Sequence, residues 1–216
     1  MYQTHSKKFG VVWVLAGVAL LGLVQCTSEA AAEPAPRVLR TEVMVDRGIF
    51  QVSYNEQYEQ PNWVIYPVRS VPKNVDRAGM NFYTEKDIHT SDDADYYANP
   101  WDKGHMAPAA DFSDSSANLT ATFSYLNCAL QLDDLNRGEW AELESAVREW
   151  ADQGAQITVK DEPVFEPGHL VLPTGAHVPT GFWKHVTFGD GTKKCYYFPN
   201  ETPTQNWTEY QRACQE

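Results

Sequence analysis

Only one stretch of this chain keeps a sustained helical rhythm. In residues 138–151, Trp140, Leu143, Val147 and Trp150 recur at three- and four-residue steps, which places them on a single apolar stripe. The other apolar runs are shorter and read as strands. Residues 49–54 and 63–71 alternate and are rich in β-branched and aromatic side chains, with the polar turn YNEQYEQPN between them. Residues 123–132 read as a buried strand, and 157–165, 182–188 and 195–198 as further strands, with the turn signal GDGTK before the last. One helix among several turn-linked strands predicts a single mixed α/β domain whose strands are mostly antiparallel. Seven Trp and eleven Tyr fit that expectation better than a helical bundle.

The N-terminus carries a different signal. Lys7 and Lys8 precede the apolar run FGVVWVLAGVALLGLV, and small residues follow Cys26, the pattern of a secretory signal over residues 1–26. The run is short for a membrane-spanning helix. LVQC also resembles a bacterial lipoprotein box, which would make Cys26 a lipid anchor, although Gln25 departs from the small residue such a box prefers. Either way the expected location is periplasmic or extracellular. Residues 27–42, rich in Ala, Pro and Glu, read as a tether, leaving 43–216 as the domain. Export permits disulfides. Cys195 and Cys214 are close enough to staple a C-terminal loop, and Cys128, inside an apolar run, is expected to be a buried thiol.

No GxSxG elbow, phosphate-binding glycine loop or HExxH pair occurs. The acidic stretch HTSDDADYYANP matches no calcium-loop spacing and is expected to be a solvated loop. His169, His177 and His185 lack ligand-like spacing and read as structural or exposed. His105 stands apart, in WDKGHMAPAADF. Gly104 permits a tight or positive-φ backbone that would leave the imidazole accessible. Lys103 beside it disfavours imidazolium, which suits a general base. A loop histidine packed by Met106 and Pro108 is an equal alternative on this stretch alone. Asn136, Trp140, Glu144 and Arg148 recur at steps of four. An ordinary surface ion pair explains Glu144 and Arg148. The catalytic alternative has Asn136 offering a carbonyl oxygen to a hard cation, with Glu144 holding its water and Arg148 orienting Glu144 or meeting phosphate.

DKGHMAPAADF resembles the DRGH signature of the DNA/RNA non-specific endonucleases, the ββα-metal (His-Me finger) nucleases. YLNCALQLDDLNRGEWAELESAVREW continues that pattern in order, and FQVSYNEQYEQPNWVIYPV, VPTGFWKHVTF and YYFPN resemble the family's flanking strands, over roughly residues 47–200. The resemblance implies an α+β fold with a central, mostly antiparallel sheet and flanking helices. It implies a magnesium-dependent endonuclease, with manganese a substitute, acting on DNA and RNA with little sequence preference and leaving a 5′-phosphate.

Carried over by position, His105 matches the general base and Asn136 the protein ligand of the metal. Glu144 matches the acid holding the metal's water shell, and Arg148 a site arginine beside it. Arg77 matches an upstream arginine that steadies the transition state, Asn127 is given a structural role, and Lys103 stands where the family has Arg. Lysine keeps the charge but loses the bidentate fork. Arg77, Lys103 and Arg148 are thus the expected phosphate contacts. A net charge of −12 requires that any such contact be a local cationic site within an acidic shell. The reading also admits a homodimer. Its alternative is an exported binding protein that retains the nuclease fold without activity.

Overall fold

The computed structural model describes residues 38–214; the expected signal segment, Cys26 and the tether up to residue 37 lie outside them. The last tether residues are already bound to the domain. Arg40 places its Nε and Nη2 each 2.7 Å from the buried carboxylate of Glu56. Among the described residues no helix is long and apolar enough to cross a membrane.

The strands expected from alternation form the main sheet. In chain order they are β1 (Val43–Asp46), β2 (Gln51–Asn55), β3 (Gln60–Val68), then, after the site segment, β6 (Ile157–Val164), β7 (Gly181–Phe188), β8 (Lys193–Pro199) and β9 (Gln211–Arg212). Among the described residues they make a seven-stranded sheet in the order β1-β2-β3-β6-β7-β8-β9, every neighbouring pair antiparallel. Because side chains alternate across a strand, one face presents Val64, Tyr66, Val159, Phe182, Val186 and Phe198 to the core. The helix α3 (Glu139–Asp152) covers that face with Trp140, Leu143, Val147 and Ala151. Trp140 meets Phe182 and Phe198 edge-on, at ring distances of 5.6 and 5.7 Å. The helical stripe read from sequence is therefore the stripe that packs.

The segment between β3 and β6 departs from expectation in three places. Residues 101–105, assigned no structure by periodicity, form β4 (Trp101–His105), which pairs antiparallel with β5 (Cys128–Leu132) in a separate two-stranded ribbon. The run 123–132 is a strand only in its second half. Its first half follows α1 (Ser116–Thr122), which Phe123 caps, and forms a 3-10 turn, Tyr125–Asn127. Both errors share a cause: the ribbon's pairing partner is distant in sequence, so tertiary contact overrides local pattern. The third departure is a break in the predicted helix. Asn136 sits on a separate short helix, α2 (Asp133–Arg137), and Gly138 (φ −101°, ψ −116°) turns the chain into α3. A β-carbon at Gly138 would lie 2.6 Å from the Asp134 carbonyl oxygen, so only glycine fits this corner.

The Cys195–Cys214 disulfide is formed and holds β9 against β8. Cys128 is free and buried, and burial pushes its thiol up to about 12, far from a reactive thiolate.

Candidate active site

The ribbon and the short helix after it form a β4–β5–α2 unit that gathers the chemistry. His105 ends β4 opposite Cys128. The residues that follow it are clamped by Asn127. The Asn127 carbonyl accepts from Met106 N at 2.8 Å, and its side chain accepts from Ala107 N at 2.8 Å while donating to the Ala107 and Thr122 carbonyls. Every polar group of this buried amide is used, which fits the structural role expected for it. Gly104 serves a different purpose from the one expected. Its φ is not positive; instead it makes room for a neighbouring strand, since a β-carbon there would lie 2.7 Å from Gln131 Cβ. Gly104→Ala should therefore cost about 1–3 kcal/mol of stability in a urea titration, as overpacking does.

His105 is half-buried, packed by Phe82 (ring distance 4.9 Å) and Phe123 (5.0 Å). Its Nε2 is buried without a hydrogen-bond partner. Burial, and then the Arg77 guanidinium, lower its pKa to about 3. Lys103, the neighbour expected to keep the ring neutral, is engaged elsewhere. Its ammonium pairs with Asp93 and lies 5.3–5.7 Å from the ring centres of Phe82, Tyr96 and Tyr125. Tyr125 donates to the same Asp93 oxygen at 2.6 Å. The acidic stretch is thus not simply a solvated loop: it forms a capped 3-10 turn, Asp93–Tyr96, that leans on the site and takes up the Lys103 charge.

Two adjoining cavities, 620 and 230 Å³, both have Arg77, His105, Asn136 and Arg137 in their walls. The larger also reaches Lys103 and Asp102, the smaller Glu144. Five of the six residues singled out in the sequence are therefore brought together. Arg148 is not in either wall. Its guanidinium turns to Asp111 (3.1 Å) and Ser145 (2.9 Å), with Glu144 at 4.0 Å, and braces α3 against the segment after His105.

Asp102, quoted in the motif but given no role, organises the cationic side. Its carboxylate takes two bonds from Arg137, at 2.8 and 2.6 Å, and accepts from Asn136 Nδ2 at 2.9 Å. A carboxylate only accepts, so the amide nitrogen must face it, and Asn136 Oδ1 is left to the cavity. Among the described residues no cluster of three or more His, Cys, Asp or Glu could hold a metal ion. An ion here would rest on the amide oxygen of Asn136. Mg²⁺ keeps most of its waters and takes few protein ligands, so this oxygen, with an acidic group nearby, fits it.

That acidic group is Glu144. Burial pushes its pKa up to about 7, against the pull of Lys184 and Arg148 and with a further push from Asp111. Lys184 and Asp161, paired at 2.6 Å in the core beside Trp140, form a buried charge pair that the sequence reading missed. A strand alternating cleanly in hydrophobicity should not place Lys184 between Phe182 and Val186; that break in pattern was the available signal.

A family model described as DNA/RNA non-specific endonuclease matches residues 35–216. A protein named Nuclease from Nostoc sp. is 29% identical over 147 residues, covering 65% of this chain and 53% of that protein. A protein named Nuclease from Serratia marcescens is 27% identical over 215 residues, covering 88% of this chain and 79% of that one. Among solved structures, EndoG from its complex with EndoGI superposes with a TM-score of 0.71 at 25% identity, covering 78% of this chain and 79% of that one. The chain spans about half the length of the Nostoc relative and less of several others.

Proposed function

Because this chain belongs to the DNA/RNA non-specific endonuclease family and has its ββα-metal fold, we propose that it hydrolyses phosphodiester bonds in DNA and RNA with little sequence preference. The observation that carries this reading is His105: a neutral imidazole with an unpartnered, buried Nε2, walled into one cavity with Arg77, Asn136 and Arg137. A bare imidazole nitrogen is what a general base presents to an attacking water. His105 takes the water's proton as the oxygen adds to phosphorus in line. Arg77 and Arg137 offer cations to the phosphate, with Lys103 shared between this task and Asp93. Contacts to phosphate carry no base information, which accounts for tolerance of sequence and sugar. Asn136 would hold a magnesium ion, or manganese in its place, and that cation would supply charge neutralisation at the departing 3′ oxygen. Glu144, in its carboxylate form, accepts hydrogen bonds from water on the same side. Arg148 acts at one remove, by fixing Asp111 and lying near Glu144. The N-terminal signal pattern supports export to the periplasm or the cell exterior as the setting of this activity.

The test is digestion of plasmid DNA and of RNA by the purified protein at low salt, with magnesium, manganese or a chelator. Cleavage should depend on the metal, disappear in Asn136→Ala with circular dichroism unchanged, and weaken as salt rises, with a shallow slope because an acidic shell leaves few phosphate contacts. Intact DNA and RNA with either metal would overturn the reading. Asp102→Ala should release both Asn136 and Arg137. It is expected to lower metal affinity by about 10–100-fold, as loss of a ligand's supporting contact does, measured by titration calorimetry with Mn²⁺.

A further inference from the structure

The outer face of the main sheet, away from α3, carries chemistry that phosphodiester hydrolysis does not use. A cavity of 630 Å³ there has Cys214, His185, Glu162, Lys160 and Lys193 in its wall. The two sulfurs of the disulfide differ. Cys195 is fully buried, whereas Cys214 is exposed. His185 lies opposite Cys195 in the β7–β8 register, with Nδ1 3.3 Å from Cys195 Sγ. Its other ring nitrogen is 2.9 Å from Glu162 Oε2, and Trp183 stacks on the ring at 5.5 Å and 18°. One sulfur is therefore open to attack, and the other is held by a histidine that a carboxylate and an indole orient.

Thiol–disulfide exchange is fastest where the attacked sulfur is accessible and the departing thiolate is stabilised. We propose that Cys214 is a modification site for small anionic thiols. A thiolate attacks Cys214 Sγ; the new sulfur–sulfur bond forms as the Cys195–Cys214 bond breaks, and the electron pair leaves on Cys195. The resulting Cys195 thiolate lies beside His185 Nδ1 and takes up the proton that the attacking thiol gave up, so no oxidant or reductant beyond the thiol is needed. Lys160, paired with Glu162 at 2.8 Å, and Lys193 set two cations against that one carboxylate in the wall of this cavity. That balance favours a thiol bearing carboxylate or sulfonate. The exchange also unties β9 from β8.

Incubation of the full chain with mercaptoethanesulfonate, or with cysteamine as the cationic comparator, tests this, with an iodoacetamide quench and peptide mass mapping. The adduct is expected on Cys214 and the alkyl group on Cys195. Per thiolate at low salt, the anionic thiol should react about tenfold faster than the cationic one, and Lys193→Glu should shrink that ratio. His185→Gln should slow the exchange by about tenfold, while circular dichroism stays native. An adduct on Cys195, equal rates for the two thiols, or an unchanged rate in His185→Gln would overturn the proposal.

Discussion

His105→Ala should lower the rate of phosphodiester cleavage by about 10²–10⁴-fold, the usual contribution of a positioned general base, while the protein stays folded. The ring is packed by Phe82 and Phe123 but makes no hydrogen bond through Nε2, so its removal breaks no buried network. The pH dependence sharpens the expectation. A base whose pKa is about 3 is already neutral throughout the working range, so it contributes no acidic limb near the ordinary imidazole value of 6.5. An acidic limb in kcat/KM should instead follow Glu144, below its metal-free value of about 7, because a cation held beside it favours the carboxylate. The same shift affects stability. The unfolded chain binds a proton at His105 below 6.5 and the folded chain does not, so stability falls as pH drops from 6.5 toward about 3. His105→Ala should flatten that part of a melting-temperature profile. Retention of full cleavage by the variant would remove His105 from the mechanism.

Glu144→Gln should have two effects of opposite kind. Cleavage should collapse, because the amide cannot supply the negative charge that the carboxylate supplies beside Asn136. Stability in chelator above about pH 8 should rise by about 3 kcal/mol, since the shift from 4.5 to about 7 measures the cost of holding this charge in a buried place. The sign follows from the raised pKa. Below 4.5 both states are protonated and the stabilisation is fully present; it is lost as pH climbs through about 7. Asp161, pushed up to about 6 by burial that outweighs Lys184, contributes a slope of the same sign that the variant retains. Denaturant titrations of both proteins from about pH 5 to about pH 9 check this. A destabilised Glu144→Gln at high pH would mean that the side chain is held for structure. A strained acid kept at a reactive place is the familiar trade between stability and activity.

The residues of the site were legible in the sequence to the extent that they form a linear motif or a helical stripe. His105 and Asn136 needed only their neighbours to be noticed, and α3 needed only the spacing of Trp140, Leu143 and Val147. What those residues do to one another was not legible. Lys103 is adjacent to His105 in the chain, yet its charge goes to Asp93, ten residues back, and the cation that acts on the imidazole is Arg77. Glu144 and Arg148 have helical spacing, yet Arg148 prefers Asp111. Asp102 gained its importance only when α2 came back to β4.

The sequence by itself determined the elements: an antiparallel sheet of alternating strands, one long amphipathic helix, the Cys195–Cys214 bridge and a buried Cys128. Those follow from periodicity and composition, which are local. Only the tertiary structure decided the β4–β5 ribbon, the corner at Gly138, the assignment of partners among the charges and the depth at which His105 and Glu144 lie. The physical reason is that desolvation and Coulomb interaction depend on distance in space, and in this chain the groups that set them are separated by tens of residues of sequence, 40 between Glu144 and Lys184.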